Sequence, residues 1–155
     1  MNIIRFYDDT NVIINQIPLK NLLTGPYETW EVEYCTYELK SKAEKTKVWS
    51  NVGTVPDRSG WDLNDGNNYY VFLDTRWEGE PNIPKNVEAQ LHDEKIRNVY
   101  VYTRFDESAA EDLSKDLQSR GVRVCGVEKI YISRPIDSLQ IIKEMLDKMQ
   151  EEGLR

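Results

Sequence analysis

Three apolar stretches in the second half of the chain each run into a hydroxyl residue followed by arginine, ending in Thr75–Arg76, Thr103–Arg104 and Ser133–Arg134. The arginines stand 28 and 30 residues apart, a period that accommodates one strand, one connection and one helix per unit. Such a repeat narrows the fold sharply, because strands that alternate with helices pair in parallel through right-handed crossovers. It also predicts that all three arginines leave the sheet at its carboxyl edge, where open α/β folds bind ligands.

The pattern predicts strand 69–74, a Gly/Pro-containing loop 78–84, a helix over 84–95, strand 98–103, helix 107–119, and strand 122–133 broken at Gly126. A last helix over 136–151 has Pro135 before it, Asp137 or Ser138 as cap, and Leu139, Ile142, Met145, Leu146 and Met149 on one stripe. Helix 107–119 is the clearest. Asp106 or Ser108 caps it, Glu107, Glu111 and Asp112 suit its positive end, Leu113 and Leu117 face the sheet, and Gly121 ends it.

The first third reads as antiparallel β. Residues 3–7 and 12–17 flank Asp8, Asp9, Thr10 and Asn11, a good turn sequence that predicts a hairpin. Residues 29–39 alternate, with Trp30, Val32 and Tyr34 on one face and Glu31 and Glu33 on the other, and the charged residues 40–45 would turn the chain into strand 46–52 as a second hairpin. Residues 56–68 are dense in breakers and read as a long surface loop. The expected fold is therefore one α/β (or α+β) domain over 1–155. N-terminal antiparallel β hairpins form a β-rich portion, 1–55, followed by a Rossmann-like βαβαβα unit over 69–151.

Charge decides which function classes survive. With 20 Lys and Arg against 27 Asp and Glu, a net charge of -7 argues against non-specific nucleic-acid binding but allows a local basic pocket or a basic partner protein. Apolar runs are too short to span a membrane, and the amino terminus lacks a signal-peptide pattern, so a soluble, cytoplasmic protein is expected. Cys35 and Cys125, far apart and without metal-type spacing, read as free buried thiols.

The hydroxyl–arginine set carries the leading chemistry. Guanidinium groups bind phosphate or carboxylate in forked geometry, and the amides at a helix start add positive charge. Thr75, Arg76, Thr103, Arg104, Ser133 and Arg134 are the candidate anion site, with Trp77 or Trp61 to stack on a base. The competing reading pairs each arginine with nearby acids such as Asp74, Glu78, Asp106, Glu107 and Asp137, and has Trp61 and Trp77 covering the end of the sheet. If the strand ends at Gly126, Arg134 lies beyond a bend and need not converge with the other two.

Asp8, Asp9 and Asp74 are the second candidate, because clustered carboxylates can hold Mg²⁺ for phosphoryl chemistry. The eight residues 6–13 resemble the opening strand of PIN-domain ribonucleases, in which an acidic residue precedes Thr-Asn-Val, here Thr10, Asn11 and Val12. They resemble more loosely the Asp-Asp-Thr end of the first motif of haloacid-dehalogenase-type phosphatases. The place of that family's nucleophilic aspartate falls on Phe6, and β-patterned sequence stands where PIN-domain helices follow, so a hairpin turn is the simpler account of Asp8 and Asp9. His92, the only histidine, reads as an exposed helix residue without the partners that catalysis would need.

The expected function is binding of an anionic, phosphate-bearing, nucleotide-like small ligand at the carboxyl edge of the sheet, without a cofactor. One alternative is a metal-dependent phosphodiesterase or phosphatase using the clustered aspartates with Mg²⁺. The other is a non-enzymatic inhibitor or adaptor docking its acidic surface on a basic partner protein.

Overall fold

The computed structural model describes residues 1–36, 53–55, 62–77 and 82–153. Strands β1 (Asn2–Asp8), β2 (Glu31–Thr36), β3 (Gly53–Val55), β4 (Asn68–Asp74), β5 (Ile96–Thr103) and β6 (Val124–Lys129) form one sheet in the order β3-β2-β1-β4-β5-β6. Every pairing is parallel. The chain works outward from β1 to β3, returns to the other side of β1, and works outward again to β6. That reversal between β1 and β4 is the switch point at which doubly wound sheets open a crevice.

A parallel sheet must be covered on both faces, and β1, β4 and β5 are accordingly buried along most of their length. On one face Ile4, Phe6, Tyr34, Phe72, Tyr100 and Tyr102 pack against α1 (Val12–Gln16), the 3-10 turn Leu19–Leu22 and α4 (Pro135–Gly153). On the other, Tyr7, Val71, Leu73, Val99 and Val101 pack against α2 (Lys85–Leu91) and α3 (Glu107–Ser119). No helix among the described residues is long and apolar enough to cross a membrane.

The all-parallel sheet overturns the antiparallel hairpins expected at the amino terminus. Residues after Asn11 form helix α1 instead of a returning strand, with Asn15 N donating to Asn11 O and Ile17 N to Ile13 O. The chemistry behind the error is shared: Asp8 does bond its own backbone two residues on, accepting from Thr10 N at 3.0 Å, but this turn leads into a helix. Ile13, Ile14 and Ile17 are all buried, at helical and not alternating spacing. A helix therefore does follow Thr10 and Asn11, where the sequence reading placed β structure and a departure from the PIN pattern. The second hairpin fails because β2 is flanked by parallel partners on both sides, β1 and β3. Residues 46–52 and 56–61, Trp61 among them, lie outside the described residues.

Later elements follow the sequence closely. Asp106 is the cap of α3, its side chain accepting from Ala109 N at 3.2 Å, and Gly121 takes the positive φ of 91° that terminates the following turn. In α4 the five stripe residues are all buried, but the helix starts at Pro135, so neither Asp137 nor Ser138 is its cap. Ser138 Oγ donates to Tyr131 O at 2.6 Å and accepts from Tyr131 N at 3.0 Å, which pins the loop after β6 to the helix.

Removing the cap should cost about 1 kcal/mol. Asp106→Ala is expected to lower the midpoint of thermal unfolding by roughly 2–4 °C, read by circular dichroism. An unchanged midpoint would mean that the cap adds nothing to α3.

Candidate functional site

Two strand ends build the centre of the site. Asp8 closes β1 and Asp74 closes β4, and the register that pairs Tyr7 with Leu73 sets the two carboxylates side by side at the switch point. Asp9 follows directly, and one carboxylate oxygen from each of the three lies within 4.8 Å of the others. Asp8 is fully buried and Asp74 is 6% exposed. Three acids in so small a volume repel unless a proton or a cation lies among them.

The surrounding hydrogen bonds hold the acids in place without neutralising them. Tyr102 Oη donates to Asp8 Oδ2 at 2.5 Å, Thr10 N donates to Asp8 Oδ1 at 3.0 Å, and Thr75 N donates to Asp74 Oδ1 at 2.9 Å. Tyr34 Oη donates to Thr10 O at 3.0 Å, fixing the turn that carries Asp9. Burial, and then the charge of Asp8, keeps both tyrosine hydroxyls protonated well above their ordinary range, so they remain donors. Burial raises Asp8 despite its hydrogen bond from Tyr102, and burial followed by the charges of Asp8 and Asp9 raises Asp74 further.

Beside them opens a cavity of about 790 Å³, of the size that holds small ligands. Asp9 and Asp74 form one wall, Thr75, Arg76 and Trp77 a second, Thr103, Arg104 and Phe105 a third, and α3 closes it with Asp112, Leu113 and Asp116. Five of the seven residues expected in the anion site therefore gather here, together with two of the three aspartates. Ser133 and Arg134 do not line the cavity: β6 stops at Lys129, and both residues are exposed in the loop beyond it.

The hydroxyls have other tasks. Thr75 Oγ1 donates to Tyr102 O at 2.7 Å, and Thr103 Oγ1 accepts from Phe105 N and Asp106 N, each at 3.1 Å. They tie strand ends to the turns that follow. Trp77 is a buried wall, its Nε1 donating to Asp74 O at 2.9 Å. Arg76 is 68% exposed and reaches Asp106 at 3.4 Å, while Arg104 lies over the Phe105 ring at 4.9 Å.

The sequence reading missed Tyr102 and Tyr34. Alternation puts Tyr34 on a strand face, and only the parallel register shows that both hydroxyls turn towards the end of β1. Compared with known proteins, the chain matches no family model, no curated protein and no solved structure.

Proposed function

We propose that this chain binds a nucleotide-sized phosphate ester at the carboxyl edge of its sheet and hydrolyses it with the help of a divalent cation. The observation that carries the reading is the carboxylate trio of Asp8, Asp9 and Asp74, largely withdrawn from water, opening on a cavity whose other walls carry Arg76 and Arg104. All-oxygen donors of this kind suit a hard ion such as Mg²⁺ or Mn²⁺. The cation would supply polarisation of a phosphoryl oxygen and activation of a water.

The roles of the chain's own residues follow from their positions. Asp8, Asp9 and Asp74 hold the cation, and the Tyr102 hydroxyl keeps Asp8 oriented. Arg104, with Arg76 reaching from the rim, binds non-bridging phosphate oxygens and balances their charge as the ester bond breaks. Trp77 and Leu113 supply apolar walls that keep bulk water from the ester.

A second reading, binding without turnover, draws on the two arginines alone, since a guanidinium pair can hold a phosphate without any metal. Thermal unfolding in the presence of Mg²⁺ or Mn²⁺, alone and with nucleotides, separates the two. Cation at 100 times its dissociation constant adds about 2.7 kcal/mol, or a shift of roughly 5–10 °C for a domain of this size. Hydrolysis of p-nitrophenyl phosphate and bis(p-nitrophenyl) phosphate should appear with the cation and vanish with chelator. Arg104→Ala is expected to raise KM about tenfold or more, the loss of one charge-assisted contact. A nucleotide shift that persists in chelator, with no turnover, would favour the second reading. Indifference to cation and phosphate alike would end both.

A further inference from the structure

Arg134, the cation left outside the cavity, belongs to a second cluster at the same edge of the sheet. Ile130 N donates to Thr103 O at 2.9 Å, so the loops leaving β5 and β6 emerge side by side. They carry Arg104 and Phe105 from one strand, and Lys129, Tyr131 and Arg134 from the other. Each cation lies over a ring: Arg104 over Phe105 at 4.9 Å, Lys129 over Tyr131 at 5.4 Å and Arg134 over Tyr131 at 5.3 Å. None of the three forms an ion pair among the described residues, in a chain where acids outnumber bases by 27 to 20. The rings are open to solvent as well. Phe105 is 67% and Tyr131 39% exposed, and Ile136, 70% exposed, stands nearby at the start of α4.

Unpaired cations beside exposed aromatic rings suit a polyanion that also carries flat faces. We propose that this strip binds a short single-stranded oligonucleotide, whose bases stack on Phe105 and Tyr131 and whose phosphates meet Arg104, Lys129 and Arg134. Phe105 and Arg104 also line the cavity, so the strip continues the candidate hydrolytic site outward across β5 and β6. The inference rests on that site only for where the strand would be cut; binding itself needs no cation. A duplex keeps its bases stacked inside and offers the rings nothing. The net charge of -7 still opposes extended nucleic-acid contact, which confines the interaction to the few nucleotides that the strip can reach.

The test is fluorescence anisotropy of labelled single-stranded decanucleotides, oligothymidylate and oligouridylate, in buffer with chelator. Binding is expected to weaken about tenfold in Tyr131→Ala and in Phe105→Ala, the loss of one stacked base. The slope of log affinity against log salt should be about −2 for three phosphate contacts, and Arg134→Ala should flatten it by about 0.7. Tyr131→Ala should leave hydrolysis of p-nitrophenyl phosphate unchanged, with circular dichroism as the check that both ring variants fold. Asp74→Asn should retain oligonucleotide binding in chelator, which separates this proposal from the hydrolytic one.

Absence of wild-type binding, equal affinity for duplex, or no effect of Tyr131→Ala would overturn it, even if ester hydrolysis is observed. Self-association that Tyr131→Ala abolishes, without oligonucleotide binding, would overturn it too and assign the strip to a second copy instead.

Discussion

Asp74→Asn is expected to lower cation-dependent hydrolysis of a phosphate ester by about a thousandfold, the loss of several kcal/mol of charge stabilisation at the metal. The same substitution should make the cation-free protein more stable at pH 8, not less. Asparagine keeps the acceptor that Thr75 N uses and nearly keeps the shape, so the principal change is removal of a group that must take up a proton, or bury a charge, when the chain folds at pH 8. In the folded chain burial raises both Asp8 and Asp74 above the pKa of about 3.9 that an unfolded chain gives them. Between that value and the raised ones the native state binds more protons than the unfolded state, and stability must fall as pH rises.

As far as these two acids decide it, wild type without cation should thus be most stable below about pH 4 and lose stability as pH rises through neutral. Added Mg²⁺ or Mn²⁺ should restore more stability at pH 8 than at pH 5, because the cation competes with protons for the same oxygens. Thermal melts of wild type and variant across this range, with and without cation, read all of this at once. An Asp74→Asn protein that keeps the full cation shift would remove Asp74 from the site. A flat pH profile in wild type would show that the trio is not desolvated.

The site falls where the topology demands. A reversal of winding direction leaves the ends of β1 and β4 uncovered by any crossover, and the residues that close those strands are the two buried aspartates. Neighbouring β5 sends Tyr102 to Asp8, so the acid at one strand end is oriented by a residue two strands away in the sheet. Each arginine position on the rim is likewise set by where its strand stops. That is why Arg76 and Arg104 reach the cavity, while Arg134 stands beyond a strand that ends five residues before it.

What could be read from the sequence follows from how local each signal is. Helix α3 was legible because cap, charge and terminator all lie within its own residues, as were the apolar runs of β4 and β5 and the stripe of α4. The parallel edge carrying Thr75, Arg76, Thr103 and Arg104 was legible because a repeat of 28–30 residues fixes topology. Helix α1 was not. Five residues are too few for periodicity to separate helix from strand, and the Asx turn at Asp8 serves either outcome. The employment of the Thr75 and Thr103 hydroxyls was hidden too, since it depends on which strand lies alongside. Most hidden was Arg5, a cation in mid-strand whose burial depends on partners 28 and 57 residues away in the chain.

Arg5 therefore yields the largest expected effect on stability. It is 1% exposed, and the register that pairs it with Glu33 across β1 and β2 brings Nη2 within 2.7 Å of that carboxylate. Tyr7 Oη accepts from Nη1 at 3.1 Å, Asp62 O accepts from Nη2 at 3.0 Å, and the Tyr69 ring lies 4.6 Å from the guanidinium. A charge so enclosed is tolerable only while each of these partners remains. Glu33→Ala would take from the buried guanidinium the carboxylate that Glu33 supplies, at a cost of about 3 kcal/mol and a fall in the unfolding midpoint of roughly 6–12 °C. Replacing both partners, Arg5→Met with Glu33→Leu, should recover most of that loss, since neither charge is then left in the interior. A carboxylate carried on a side chain one methylene shorter would keep the charge but stand back from the guanidinium, so Glu33→Asp should fall between wild type and Glu33→Ala. A Glu33→Ala protein that melts with wild type would show that the remaining partners of Arg5, Tyr7, Tyr69 and the Asp62 carbonyl among them, suffice to hold it, and that the sheet has no need of the Glu33 ion pair.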